Sequence, residues 1–209
     1  MNIRTLWIGA QMIQINVADN VERVLAEMAS IPERMRTRAI TDALRRAAQQ
    51  TKTVVIRAVT REYAVQRSRV ESVIRIIPNF ASAARLSVVI DAIPSQSGKR
   101  SANVIRFLER RVSLAQHRKR MKAGDHELHF KFRKTASTKV IRGAFVGNSG
   151  RTIFRRTGQS RLPIESVMVI DVPQMFTARK INAQGVEFIR RRFPELMRAE
   201  AQQEIKRLR

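Results

Sequence analysis

Between Met35 and Ala58 small and apolar side chains recur at helical spacing. Met35, Ala39, Ile40, Ala43, Leu44, Ala47, Ala48, Thr51, Val54, Val55 and Ala58 fall on one stripe of a 3.6-residue helix, while Arg34, Arg38, Asp42, Arg45, Arg46, Gln49 and Lys52 lie off it. Most of the stability of such a helix comes from packing its stripe against another element, so this run dictates a partner layer. Ser30-Ile31-Pro32-Glu33 reads as its start, with Ser30 or Ile31 near the cap and Pro32 in the first turn; the helix should run to about Tyr63. Its many alanines let a sheet or second helix approach closely.

The segments around it alternate in the manner of strands. Ile13, Ile15 and Val17 alternate with Gln14 and Asn16, and Asp19 or Asn20 can cap a helix carrying Val21, Val24, Leu25 and Met28. VQRSRVESVIRI reads as a short helix running into a strand that Pro78 ends. RLSVVIDAIP gives a strand with Leu86, Val88 and Ile90 on one face, and PSQSGKRSAN a polar loop. The basic stretch at about 110–125 is expected to be a long loop leading into a strand with Leu128, Phe130 and Phe132 on one side. KVIRGAFVG and RTIFRRT should form a hairpin about Asn148-Ser149-Gly150. GQSRLPIESVMVIDVPQMF, with Pro163 and Pro173, is expected to connect this hairpin to a C-terminal helical part. There Val186, Ile189, Phe193, Leu196, Met197, Ala201, Ile205 and Leu208 keep helical spacing, and Pro194 should kink the helix or begin a second one. The predicted class is α+β: a long N-terminal amphipathic helix packed on a mostly antiparallel sheet, with C-terminal helices. We expect one domain over 1–209. Residues 1–65 would supply a strand and helices, 66–175 a β-rich region, and 176–209 a helical arm.

Charge narrows the function. Lys and Arg number 41 against 17 Asp and Glu, a formal net charge of +24. An excess of this size repels itself and is best tolerated beside nucleic acid, an anionic membrane or acidic protein. The opening MNIRTLWIGAQMIQINVA is interrupted by Asn2, Arg4, Gln11, Gln14 and Asn16, too broken for a spanning helix or a signal core. We therefore expect no membrane partner and no export. With no cysteine, disulfides, thiolate catalysis and cysteine-based zinc sites are excluded.

Enzyme signatures fail. SGKRS holds a Gly-Lys pair, but a phosphate-binding loop needs glycine where Ile93 stands and Ser or Thr where Arg100 stands. His126 and His129 are spaced three apart at a strand entry, where they face opposite sides and do not converge on a metal. We read them as surface histidines, and expect no catalytic group, cofactor or metal. Basic residues on the long helix read as a solvated face. The loop and hairpin clusters, Arg110, Arg111, Arg118, Lys119, Arg120 and Lys122 with Arg155, Arg156 and Arg161, have few acids nearby and are candidate contacts for DNA phosphates or acidic partners. Aromatic residues are only 5% of the chain and stud no strand in the manner of base-stacking proteins, so sequence-specific recognition is not expected. A non-specific nucleic-acid-binding protein is the alternative reading of the charge.

GAFVGNSGRTIFRRTGQSRLPIESVMVIDVPQMF resembles the C-terminal signature of the minor tail protein Z family of long-tailed phages. The matching residues are Ala144, Phe145, Val146, Phe154, Arg155, Arg156, the run Ser160 to Glu165, and Val172 to Phe176. The likeness covers roughly residues 30–195 and is specific over 143–176; where the family commonly has GPS, Val169-Ile170-Asp171 stand. It implies a non-enzymatic, structural virion protein that completes the tail at its head-proximal end, needed for tail maturation and head–tail joining. It also implies a homo-oligomeric ring, a hexamer among the candidate sizes, in the neck of the virion and made in the host cytoplasm. Tail terminator, tail tube and head–tail connector proteins would be its neighbours, with packaged DNA as a non-specific contact. Phe145, Phe154, Leu162, Pro163, Ile164, Pro173 and Phe176 are the candidate packing or interface residues of the motif.

Overall fold

The computed structural model describes residues 12–16, 26, 28–29, 31–79, 87–93, 101–109, 115–116, 119, 122–123 and 128–207. In chain order these form β1 (Met12–Asn16), α1 (Glu33–Glu62), α2 (Arg67–Val73), β2 (Ile74–Asn79), β3 (Ser87–Ala92) and β4 (Ser101–Asn103), followed by a 3-10 turn (Val104–Phe107). Then come β5 (His129–Phe130), β6 (Lys139–Val140), β7 (Ala144–Gly147), β8 (Thr152–Arg156), β9 (Ile164–Ser166), β10 (Met168–Ile170), α3 (Val172–Phe176) and α4 (Arg179–Arg207). The fold is α+β, as predicted, with small antiparallel sheets against a long helical pair.

Helix α1 buries the expected stripe except Met35 and Val54, which stay half-buried, and adds Ile56 and Val59. The stripe is wider because α1 is touched by α2, α3, β2, β3 and α4, so more than one flank is covered. Pro32 stands at the cap itself, not inside the first turn, and no side chain caps the helix. Its carbonyl accepts from the amides of Met35 and Arg36 at 2.9 and 3.0 Å.

Helix α4 runs antiparallel along α1 instead of standing off as an arm. Arg38 lies 3.8 Å from Glu204, Arg46 2.7 Å from Glu200, and Lys180 3.4 Å from Glu62. Arg192 donates to Gln50 at 3.2 Å. Glu200 and Glu204 are buried, and the exposed Arg38 and Arg46 reach over them from α1. Part of the cationic surplus thus neutralises carboxylates along the helix seam. The helix continues through Pro194 as one element, so no second helix begins there. The donor that proline lacks would have served the carbonyl of Arg190, an exposed position where water can take it.

The sheet under this pair has the order β1-β3-β2, all antiparallel, with Val88, Ile90 and Ala92 of the central strand buried. Pro78 does not end its segment; it lies within β2, opposite Val88. An edge strand needs donors on one side only, which makes proline tolerable there. Leu86 and Val17 lie outside the described residues, as does the helix expected from Asp19, apart from a helical Ala26 and a buried Met28.

A second, smaller core joins Val104, Leu128, Phe130, Ala144, Val146 and Ile153, and Phe132 and Val169 touch both cores. The end of the expected polar loop is strand β4, which pairs with β10; residues 94–100 lie outside the described set. The segment expected as a connection holds β9, β10 and α3 instead. Its prolines misled because both fall where a missing donor is harmless: Pro163 precedes an edge strand and Pro173 sits in the first turn of α3. Within the stretch at 110–125, Ala115, Gln116, Lys119 and Lys122 have helical backbone where a loop was expected, and the Ala123 amide donates to the Lys119 carbonyl at 3.1 Å. No helix among the described residues is long and apolar enough to cross a membrane.

Candidate docking surface

The β7–β8 hairpin turns where expected. Asn148, Ser149 and Gly150 all take positive φ (47°, 52° and 84°), which asparagine and glycine accept readily and serine less so. Alternation then sorts its residues by face. Ala144, Val146 and Ile153 point into the second core. Phe145, Gly147, Thr152, Phe154 and Arg156 take the other face, with Phe145 opposite Phe154 and Gly147 opposite Thr152.

That outer face is organised and uncovered among the described residues. The Phe145 and Phe154 rings lie 6.0 Å apart, tilted by 30°, and the Arg156 guanidinium sits 5.4 Å over the Phe145 ring. Offset aromatic pairs and a cation over a ring face each add about a kcal/mol to simple burial. Strand β9 extends the face: Ser166 pairs with Phe154 and Ile164 with Arg156. Past Ser166 the chain stays extended but changes partner. The Val167 amide donates to Ile153 and its carbonyl accepts from Val104, both at 3.0 Å, and β10 then pairs with β4. Val167 and Val169 turn inward to the second core, leaving Met168 and Ile170 outward. Of the seven large apolar residues exposed among the described ones, four — Leu162, Ile164, Met168 and Ile170 — lie in this nine-residue run. Exposed apolar side chains scattered singly mean nothing, but a row of them makes a candidate docking surface.

Gly147 leaves room on this face for the Phe154 ring. A β-carbon there would come within 2.8 and 2.9 Å of the Phe154 ring. The glycine backbone (φ −133°, ψ −167°) suits any residue, so what matters is space, not conformation. We predict that Gly147→Ala displaces Phe154 and destabilises the protein by about 1–2 kcal/mol, typical of overpacking. Urea unfolding would measure the loss, and an unchanged Phe154 environment in the spectrum of the variant would count against it.

The basic candidates separate in space. Arg155 pairs with Glu165 at 2.6 Å on the side of the sheet opposite Arg156, Arg156 covers Phe145, and the exposed Arg161 makes no ion pair among the described residues. Lys119 and Lys122 are exposed, while Arg110, Arg111, Arg118 and Arg120 lie outside the described residues. Of the motif residues, Leu162, Pro163 and Ile164 are exposed and Phe145 and Phe154 half-buried, whereas Pro173 and Phe176 are buried and serve packing. His129 is exposed on β5 and His126 lies outside the described residues; no group of metal-holding side chains occurs among those described. Met168 and Ile170 were not singled out from sequence, although their alternation with Val169 was there to be read.

Beside this surface lies a cleft of about 480 Å³ between α2, the 3-10 turn and α3, lined by Val65, Arg69, Arg106, Phe107, Asp171 and Met175. Asp171, buried, caps α3. Its carboxylate accepts from the Val172 amide at 2.9 Å, and the Asp171 amide donates to the Gln174 side-chain oxygen at 3.1 Å. The same carboxylate lies 3.3 Å from Arg106 and 3.7 Å from Arg69. Burial and the neighbouring charge of Arg69 push the Arg106 guanidinium below its ordinary range, while Asp171 pulls it back. One carboxylate therefore holds two mutually repelling cations and ties three elements together behind β10.

A family model described as prophage minor tail protein Z matches residues 19–209. No curated protein and no solved structure matches the chain.

Proposed function

Since the chain belongs to the prophage minor tail protein Z family, and so to the structural proteins of phage tails, we propose that it is the tail-completion component at the head-proximal end. In this reading it forms a ring in the neck of the virion, contacts the tail terminator, tail tube and head–tail connector, and works by binding alone. The observation that carries the proposal is the uncovered outer face of β7–β8–β9 with its apolar extension to Ile170. A stack of aromatic, aliphatic and arginine side chains is the composition of a protein-binding hot spot. Among the described residues it shows no paired acid and base, and its exposed cations Arg156 and Arg161 suit an acidic neighbour.

Deleting the gene from its prophage should leave filled heads and tails that do not join, visible by electron microscopy, and supplying the protein should restore joining. Normal virions from the deletion strain would defeat the proposal. The second reading, non-specific nucleic-acid binding, is favoured by the net charge of +24 and by exposed arginines such as Arg34, Arg57, Arg190 and Arg191 on α1 and α4. It requires affinity of the isolated protein for DNA that falls steeply with salt. The tail reading instead expects DNA association that depends on the other tail proteins.

A further inference from the structure

We propose, resting on the tail reading above, that β9 is an acceptor edge: an extended, acidic segment of a different tail protein adds to it as a new strand. The backbone gives the first reason. Among the described residues, the last strand of the sheet β7-β8-β9 has a neighbour on one side only. The Thr157 amide donates to the Pro163 carbonyl at 3.3 Å and the Val167 amide to the Ile153 carbonyl at 3.0 Å. The polar groups of Pro163, Glu165 and Val167 that serve the ladder thus turn toward β8. Antiparallel alternation then turns the amides and carbonyls of Ile164 and Ser166 the other way, to the open edge. Residues 161–166 are all exposed.

The side chains give the second reason. Open edges are usually protected by lysines, inward charges or a covering element. Here the edge displays Leu162 and Ile164, and Met168 and Ile170 continue the same outer row beyond it. An incoming strand would gain main-chain bonds from the edge and apolar contact from the row, the two components of strand addition.

Charge selects the occupant. Arg161 is unpaired among the described residues and Arg156 lies cross-strand from Ile164. Two copies of β9 paired with each other would bring these arginines together in a protein that already carries 41 cationic side chains against 17 acidic ones. An acidic strand removes that repulsion and adds attraction. Duplex DNA presents neither apolar side chains nor strand-edge hydrogen-bonding groups to match this row.

Two measurements on assembled tails test the proposal. In the unmodified protein, the amides of Ile164 and Ser166 should exchange with solvent roughly tenfold or more slowly in tails than in the free chain, while Val167, already bonded, changes little. A photo-reactive side chain at position 164 should cross-link to a net-negative peptide of another tail protein. Unchanged exchange at 164 and 166 overturns the proposal, as does cross-linking to a second copy, to a basic segment or to DNA. Absence of the chain from purified tails would instead sink the tail reading itself, which keeps the two failures apart.

Discussion

Replacing Asp171 by alanine should lower the unfolding free energy by about 3 kcal/mol, the lower end of the range for breaking a buried ion pair from one side. Asp171 is 3% exposed. Its removal uncaps α3, which alone costs about 1 kcal/mol. It also leaves Arg69 and Arg106 facing each other with nothing between. Both arginine side chains are partly open, at 30% and 41%, so water relieves some of that repulsion and the full buried-pair penalty is not expected. In a chain of this size the loss should appear as a fall of about 6–12 °C in Tm. Asp171→Asn separates the two contributions, because an amide oxygen can still accept from Val172 while the charge is gone; its loss should be about 2 kcal/mol. Adding Arg106→Met to Asp171→Asn should then recover part of the loss, since the remaining cation no longer faces a like charge. An Asp171→Asn variant as stable as the parent would show that the carboxylate serves only as a cap.

This cluster also shows where sequence reading stops. The long helix, the hairpin with its turn, and the helical C-terminal run were legible because each announces itself within a few residues through spacing or turn chemistry. Asp171, Arg69 and Arg106 come from three separate elements, and no local pattern links them. The same holds for the buried Glu200, whose partner Arg46 lies on α1, and for the contact of Glu204 with Arg38 of α1, although Glu204 also pairs with Arg207 within its own helix. Pro163, Pro173 and Pro78 were legible as residues but not as positions: at an edge or in a first helical turn they break nothing. The docking surface was half visible. The motif run placed Leu162, Pro163 and Ile164 at a surface, but it also offered Pro173 and Phe176, which the fold buries beneath α1 and α4. What decides between them is the strand that changes partner at Val167, sending Val167 and Val169 into the second core and Met168 and Ile170 to the surface, and that exchange of partners has no signature in the sequence.

Changing both Ile164 and Met168 to aspartate should leave the fold nearly intact and reduce the yield of joined, infectious particles by about 10²–10³-fold, the equivalent of roughly 1.5–2 kcal/mol per residue at the contact. The two side chains are 39% and 38% exposed in the free chain. Substitutions at such positions usually change stability by about half a kcal/mol or less, so urea midpoints should move little. In the tail, each carboxylate would have to leave water and lie against apolar side chains. Ile205→Asp provides the comparison: at 38% exposure Ile205 is equally accessible, but it lies on α4, away from the apolar row, and its variant should assemble normally. Ile164→Lys separates the chemistry of the occupant from mere loss of apolar area. A lysine can lay its methylene chain along the row and offer its ammonium to an acidic strand, so its defect should be clearly smaller than that of Ile164→Asp. Equal defects from lysine and aspartate would mean that the contact is apolar only, and the reverse order would mean that the occupant is basic.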